Sequence, residues 1–265
     1  MQVVQRYDKA AVQRSFDKAS SSYVAHNQVQ SQVAHHLLQA CKSTVATCAT
    51  LLDLGCGPGV NFKALKTKAA QVVGVDLSAP MCALAQSLKL SDVLVKEGNI
   101  EELNLSPYDL IFSSLALQWC DVNKFWHNLS SSACGRVFIA LAIPVEGTMA
   151  ELGLILNDAN LKGRVNNFPS SENLATLVQE SLALARADKN ITLKCYTKRY
   201  ISVYFDEVSY LNSVRGIGAS SASGQGALKR SEYAKFMAGL KDKLKQDGKL
   251  EHTYEVMFIE GYVSF

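Results

Sequence analysis

The spacing of apolar residues switches between a helical and an extended period along this chain, and the switches divide it. Val29, Val33 and Leu37 recur at i, i+4 and i+8 among Gln, His and Ser, which predicts helix within residues 8–40. Short apolar runs follow at about 50–55, Gln71–Asp76, Asp92–Val95, Tyr108–Phe112 and Arg136–Leu141. They do not alternate with polar residues, the pattern of strands covered on both faces of a parallel sheet. Helical segments lie between the first of them, at Val60–Lys66 and from Pro80 to about Leu88. Strands alternating with helices predict βαβ units and a doubly wound sheet with helices on both faces. Beyond Pro144 the rhythm breaks. Residues 147–185 read as two helical stretches split by Gly163–Pro169, and Ile191–Val203 alternates as a long strand. Asp206 can cap a short helix ending at Gly216; residues 216–227 read as a Gly, Ser and Ala loop, and 231–246 as a basic amphipathic helix. His252–Val263 closes the chain as a last strand. The expected fold is therefore α/β, with a seven-stranded, mostly parallel sheet and no internal repeat.

Composition adds bounds. Hydrophobic residues make up 48% and charged residues 19% of 265, the balance of a folded globular chain. The longest apolar run, Val137–Val145, is far short of the roughly 20 residues that span a bilayer, and the N-terminus lacks the apolar stretch of a secretory signal. Seven cysteines without a C-x-x-C pair argue against a disulfide framework or a thiolate metal cage and fit a reducing cytoplasm. His35-His36 has no acidic or His partner at ligand spacing and reads as part of a helix face, so no metal site is expected. The net charge of +3 is unevenly spread: Arg186–Lys249 holds 13 Lys and Arg against 6 Asp and Glu. This is either a solvated face or a surface for an acidic partner. No aromatic-basic interleaving of a nucleic-acid module accompanies it.

The chemistry concentrates where the first strand ends, in Asp53-Leu54-Gly55-Cys56-Gly57-Pro58-Gly59. A glycine turn between strand and helix brings backbone close to a ligand, and a helix N-terminus adds unpaired N–H groups. A dinucleotide site needs G-x-G-x-x-G, but here Val60 stands where the third glycine belongs, which argues against an NAD-linked oxidoreductase. Asp76 ends the second strand, placed to accept hydrogen bonds from ribose hydroxyls. Ligands of open α/β sheets lie beyond the carboxyl ends of the strands, so Ser113–Cys120 should line the reacting centre. Within it, Trp119 is either core packing or, with Gln118, part of the acceptor site.

These residues resemble the class I S-adenosylmethionine-dependent methyltransferases, with their Rossmann-like fold. The resemblance implies that Asp53 belongs to the cofactor site, that the backbone of Gly55, Cys56 and Gly57 meets the methionine part of the cofactor and that Asp76 holds the ribose. Leu77 and Ile100 would flank the adenine, with Ser113 at the strand end. Asn99 would accept from the adenine amino group, where many relatives carry Asp; the other reading is a turn residue. The chain looks, more narrowly, like the malonyl-[acyl-carrier-protein] O-methyltransferases of biotin synthesis. The segments that carry this are Arg14–Ala19 with Tyr23, Leu115–Trp119 and Ser213-Val214-Arg215-Gly216-Ile217-Gly218-Ala219. Residues 1–45 would then be a helical lid in which Tyr23 covers the cofactor or packs between helices. Residues 46–145 would be the cofactor-binding core, and 146–265 helical insertions plus the last two strands of the same domain. That family methylates the free carboxylate of a malonyl thioester.

The residues suit such chemistry. A malonyl carboxylate is ionised at neutral pH and needs no general base, so alignment and dehydration can carry the reaction. Accordingly, no Ser/His/Asp set or carboxylate pair stands out. A guanidinium can hold the carboxylate bidentately, and Arg215 is the candidate; its bland role is a surface arginine favoured by the helix dipole. Acyl carrier proteins are acidic, so Lys229, Arg230, Lys235, Lys241, Lys243 and Lys245 become candidates for docking one. The alternatives are a methyltransferase for a free small acid of the aconitate type and a cofactor-binding subunit that has lost catalysis.

Overall fold

Leu51, Leu52, Asp53 and Leu54 are all buried, and a strand covered on both faces must sit inside its sheet. It does. A computed structural model describes residues 8–44, 47–132, 135–184, 192–216 and 228–264. The strands β1 (Cys48–Leu54), β2 (Ala69–Asp76), β3 (Val93–Glu97), β4 (Leu110–Ser114), β5 (Arg136–Pro144), β6 (Lys194–Tyr204) and β7 (Leu250–Ser264) form one sheet in the order β3-β2-β1-β4-β5-β7-β6. The first five pair in parallel, and β7 runs antiparallel to both β5 and β6. Strand order reverses between β1 and β4, and such a switch point leaves a crevice beyond the strands' carboxyl ends.

Two apolar layers cover the sheet. One joins helix α3 (Gln28–Thr44) to Phe62, Phe112, Phe138 and Phe258, and reaches α7 (Ala150–Asp158), α9 (Glu207–Gly216) and α10 (Arg230–Asp247). The other packs α6 (Val122–Ser132) and α8 (Ser171–Leu184) onto Ile111, Ile139 and Ile259. The parity of the strands decides which residue enters which layer: Ile111 and Phe112, adjacent on β4, fall on opposite sides. The helical stretch expected over residues 8–40 is three pieces, α1 (Lys9–Ala19), the one-turn α2 (Tyr23–His26) and α3. Asp8 caps α1 by accepting from the Ala10 N–H at 3.0 Å, and Asp206 caps α9 through the Ser209 N–H at 2.8 Å.

One element is much shorter than its sequence suggests. Instead of a helix over Val60–Lys66, the structure has a single turn, α4 (Phe62–Leu65), because β2 begins again at Ala69. A one-turn helix offers little dipole, so the loop before it, rather than a helix terminus, supplies the N–H groups near the crevice. Helix α5 (Ala79–Ser87) starts as expected, with the Ser78 hydroxyl accepting from the Met81 N–H. Among the described residues no helix is long and apolar enough to cross a membrane.

Candidate functional site

The switch-point crevice is a half-open cleft beyond the carboxyl ends of the parallel strands. It gathers residues from six stretches of chain, helix α1 among them. Gly55 and Gly57 come from the loop after β1, Asp76 and Leu77 from the end of β2, and Asn99 and Ile100 from the turn after β3. Ser114 to Ala116, Trp119 and Cys120 follow β4, and Tyr23 leans in from α2.

The glycine loop is held by its own geometry. Gly55 has φ +70, and a Cβ there would lie 2.2 Å from the Ala116 Cβ, so only glycine lets the two segments approach. Gly57 also has a positive φ, but open space surrounds its α-carbon, and its N–H donates to Asp76 Oδ2 at 2.8 Å. Asp76 Oδ1 accepts from the Ser78 N–H at 2.9 Å. Each carboxylate oxygen has two acceptor positions, so Asp76 retains capacity for a ligand hydroxyl while its side chain stays fixed. Burial raises its pKa, against the pull of those N–H groups.

Asp53 lies below this surface. It is 1% exposed, and Oδ2 has no hydrogen-bond partner among the described residues. Burial, then the charge of Asp76, pushes its carboxyl up to about 8. Burial and the same two carboxylates raise the Tyr23 phenol far above its usual range, keeping it a neutral donor. Asp53 and Asp76 thus make the base of the cleft acidic, while Lys9, the basic side chain among its described lining residues, is paired with Glu101, an arrangement that favours a cationic ligand.

The segment after β4 is strained and supported. Leu115, with φ 55, is a non-glycine residue in the left-handed region. Its N–H donates to the Ala142 carbonyl at 2.9 Å, and the Gln118 amide donates to its carbonyl at 2.6 Å. Gln118 therefore braces the turn and does not line the cleft. One further expected residue points elsewhere. Ser113 is buried with its hydroxyl on the Leu54 carbonyl at 3.0 Å, since strand parity turns Ser114 toward the cleft instead. The Cys56 side chain turns under the loop: a Cβ on Gly74 would lie 2.9 Å from its sulfur.

Asn99 is a turn residue that also lines the cleft. Its Oδ1 accepts from the Glu101 N–H at 3.2 Å, capping the turn of 100–102. Arg215 falls in the last turn of α9; its side chain, and residues 217–219 of the glycine motif, lie outside the described residues. Helix α1 contributes lining residues the sequence reading did not single out: Lys9, Val12 and Phe16. Their spacing of three and four, one helix face, was the available signal. Phe16 meets Trp119 edge-on at 5.8 Å. Glu101, just behind the cleft, accepts from Lys9 Nζ at 2.7 Å; burial alone would raise its pKa, but Lys9, the Asp121 N–H and Lys124 hold it below the usual range.

S-adenosylmethionine, the donor that the resemblance implies, fits these residues. Its cationic methionine end matches the unpartnered Asp53 and the acidic floor, and the bare backbone of Gly57 leaves room for close approach.

A family model described as a methyltransferase domain matches residues 52–132, from β1 into α6. The YcgJ protein of Bacillus subtilis shares the fold, with a TM-score of 0.57 at 16% identity over 87% of this chain and 98% of that one. The fold and the cleft together define a Rossmann-like methyltransferase of class I. Two relatives narrow this. A malonyl-[acyl-carrier protein] O-methyltransferase of Herminiimonas arsenicoxydans is 28% identical over 96% of both chains. Another so named, from Pseudescherichia vulneris, is 31% identical over 80% of this chain and 81% of its own. The chain belongs to the malonyl-[acyl-carrier protein] O-methyltransferase family.

Proposed function

We propose that this enzyme transfers a methyl group from S-adenosylmethionine to the free carboxylate of malonyl-acyl carrier protein, giving the methyl ester in the early, pimeloyl-building stage of biotin synthesis. The observation that carries the reading is the single cleft uniting Gly55, Gly57, Asp76, Leu77, Asn99 and Ile100 in a chain of this family. When bound, S-adenosylmethionine supplies an electrophilic methyl group on a sulfonium centre. The chain's own residues do the rest. Asp76 holds the ribose while tied to Gly57 and Ser78, and Asp53 balances the cationic methionine end. Leu77 and Ile100 flank the adenine, and Asn99 offers its amide at the rim.

No base is required, because the acceptor carboxylate is already ionised. The chain's task is to strip water from it and hold it in line. Trp119, Tyr23 and Phe16 form the apolar part of that wall. Arg215, in the last turn of α9, would take the carboxylate as a bidentate fork. Arg215→Ala should raise the KM for the malonyl thioester and leave cofactor affinity intact; an unchanged KM removes that role.

Docking falls to α10. On the side away from buried Phe236 and Leu240, Arg230, Lys235, Lys241 and Lys245 are exposed, with Asp242 among them. Lys243 is spent on Asp247 at 2.8 Å, so it contributes less than its charge suggests. The deciding assay uses labelled S-adenosylmethionine with malonyl-carrier protein, malonyl-CoA and free dicarboxylates. A base-labile methyl ester on the carrier supports the reading, and transfer to free acids alone overturns it.

A further inference from the structure

Helix α1 lies across the cleft with one face turned in, carrying Lys9, Val12 and Phe16. Both ends of that helix are fastened by carboxylates. Near its C-terminus, Asp17 Oδ1 accepts from the Ser78 hydroxyl at 2.6 Å, and Ser78 is the residue whose N–H steadies Asp76. Near its N-terminus, Lys9 Nζ meets Glu101 Oε2 at 2.7 Å. The two ties differ in kind. The Glu101 side chain is only 5% exposed, and its carboxylate serves three parts of the site. Oε2 takes Lys9 from the roof, with Lys124 of α6 at 3.7 Å. Oε1 takes the Asp121 N–H at 2.8 Å, one residue past the cleft-lining Trp119 and Cys120. Glu101 itself follows Asn99 and Ile100, so it is covalently part of the cleft's other wall. One buried charge joins roof, wall and reacting segment.

We propose that Glu101 is a positioning residue for the cofactor, which through Lys9 holds helix α1 closed over the site and through the Asp121 N–H aligns the segment beside Trp119. The proposal rests on reading the cleft as the S-adenosylmethionine site. It is distinct from a packing role because Glu101 makes polar contacts to Lys9 of α1, Lys124 of α6 and the Asp121 N–H rather than to the sheet, whose core is built elsewhere. A pair with one member this buried is screened less by salt than an exposed one, so its loss should be felt in binding.

The test measures the affinity of the full chain for S-adenosylhomocysteine by calorimetry, in wild type, Lys9→Met, Glu101→Gln, the double variant and Lys9→Arg. Melting temperatures and the rate of proteolysis within α1 are read alongside. Lys9→Met should weaken binding about tenfold, and Glu101→Gln at least as much. The double variant should be no weaker than Glu101→Gln, because both changes break one tie. Lys9→Arg should restore affinity, and S-adenosylhomocysteine should protect α1 from protease in wild type but not in Lys9→Met. Undiminished affinity in Lys9→Met, additive losses in the double variant, or affinity lost only in step with the melting temperature would each overturn the proposal. Wild type that fails to bind S-adenosylhomocysteine at all would instead sink the reading of the cleft itself.

Discussion

Replacing Asp53 by asparagine removes a carboxyl group that the folded protein holds at about 8, against an ordinary value of 3.8. The cause is burial first, then the charge of Asp76, with one oxygen left unpartnered among the described residues. Between those two values the folded chain keeps a proton that the unfolded chain has released. By linkage, the stability of the donor-free protein must therefore fall as pH rises through that window. His252 works in the opposite direction below 6.5, so the clean interval runs from 6.5 to 8. One and a half units at about 1.36 kcal/mol each set a ceiling of about 2 kcal/mol, reduced by whatever relaxation lets water reach the carboxylate.

Urea unfolding at pH 6.5 and pH 8, without donor, reads this directly. Wild type should lose up to about 2 kcal/mol across the interval, and Asp53→Asn should be flatter. Asp76 and Glu260 are also raised by burial and remain in the variant, so its slope need not vanish. The two proteins should differ in the opposite sense in binding. Wild type recovers the cost by placing a cation beside the ionised carboxylate, whereas the neutral amide gains nothing from it, so Asp53→Asn should bind S-adenosylmethionine more weakly at pH 8. Equal slopes in the two proteins would refute the argument, because they would mean that Asp53 is ionised throughout.

Gly55→Ala forces a Cβ against Ala116 at a positive φ and should cost about 2–5 kcal/mol in unfolding, the sum of backbone strain and overpacking. Gly57→Ala meets open space, so it should cost only about 1–2 kcal/mol while weakening the cofactor, as calorimetry would register. His252 is 2% exposed and lowered to about 4 by burial, with Glu151 opposing; its contribution is lost as pH falls from 6.5, and His252→Leu should flatten acid unfolding measured by circular dichroism. The KM for carrier-bound malonyl should rise several-fold between about 50 and 300 mM salt, while that for malonyl-CoA moves less; a carrier KM indifferent to salt counts against docking on α10.

What could be read from the sequence divides along a physical line. The cofactor half was legible because its demands are local: a turn that needs glycine, an acid at a strand end, and buried strands whose composition excludes alternation. Those demands fixed β1, β2 and the order of the loops without knowledge of what packs on them. Ser113 departs from expectation through orientation. Ser113 and Ser114 are one step apart on β4, and only the sheet's layering decides which hydroxyl meets the Leu54 carbonyl and which meets the cleft.

The roof of the cleft was harder still, because nothing in α1 is unusual by itself. Lys9, Val12 and Phe16 sit on one face of a short amphipathic helix, and the helix acquires meaning only where Lys9 meets Glu101, Asp17 meets Ser78 and Phe16 meets Trp119, residues 61 to more than 100 positions away. The break before Tyr23 is what lets α1 fold back across the site while α3 packs on the sheet. A glycine loop declares its ligand from a few adjacent residues. A lid is defined by pairings across the chain, so the side chains that close the site must be sought among buried charges such as Glu101, whose partners come from separate elements.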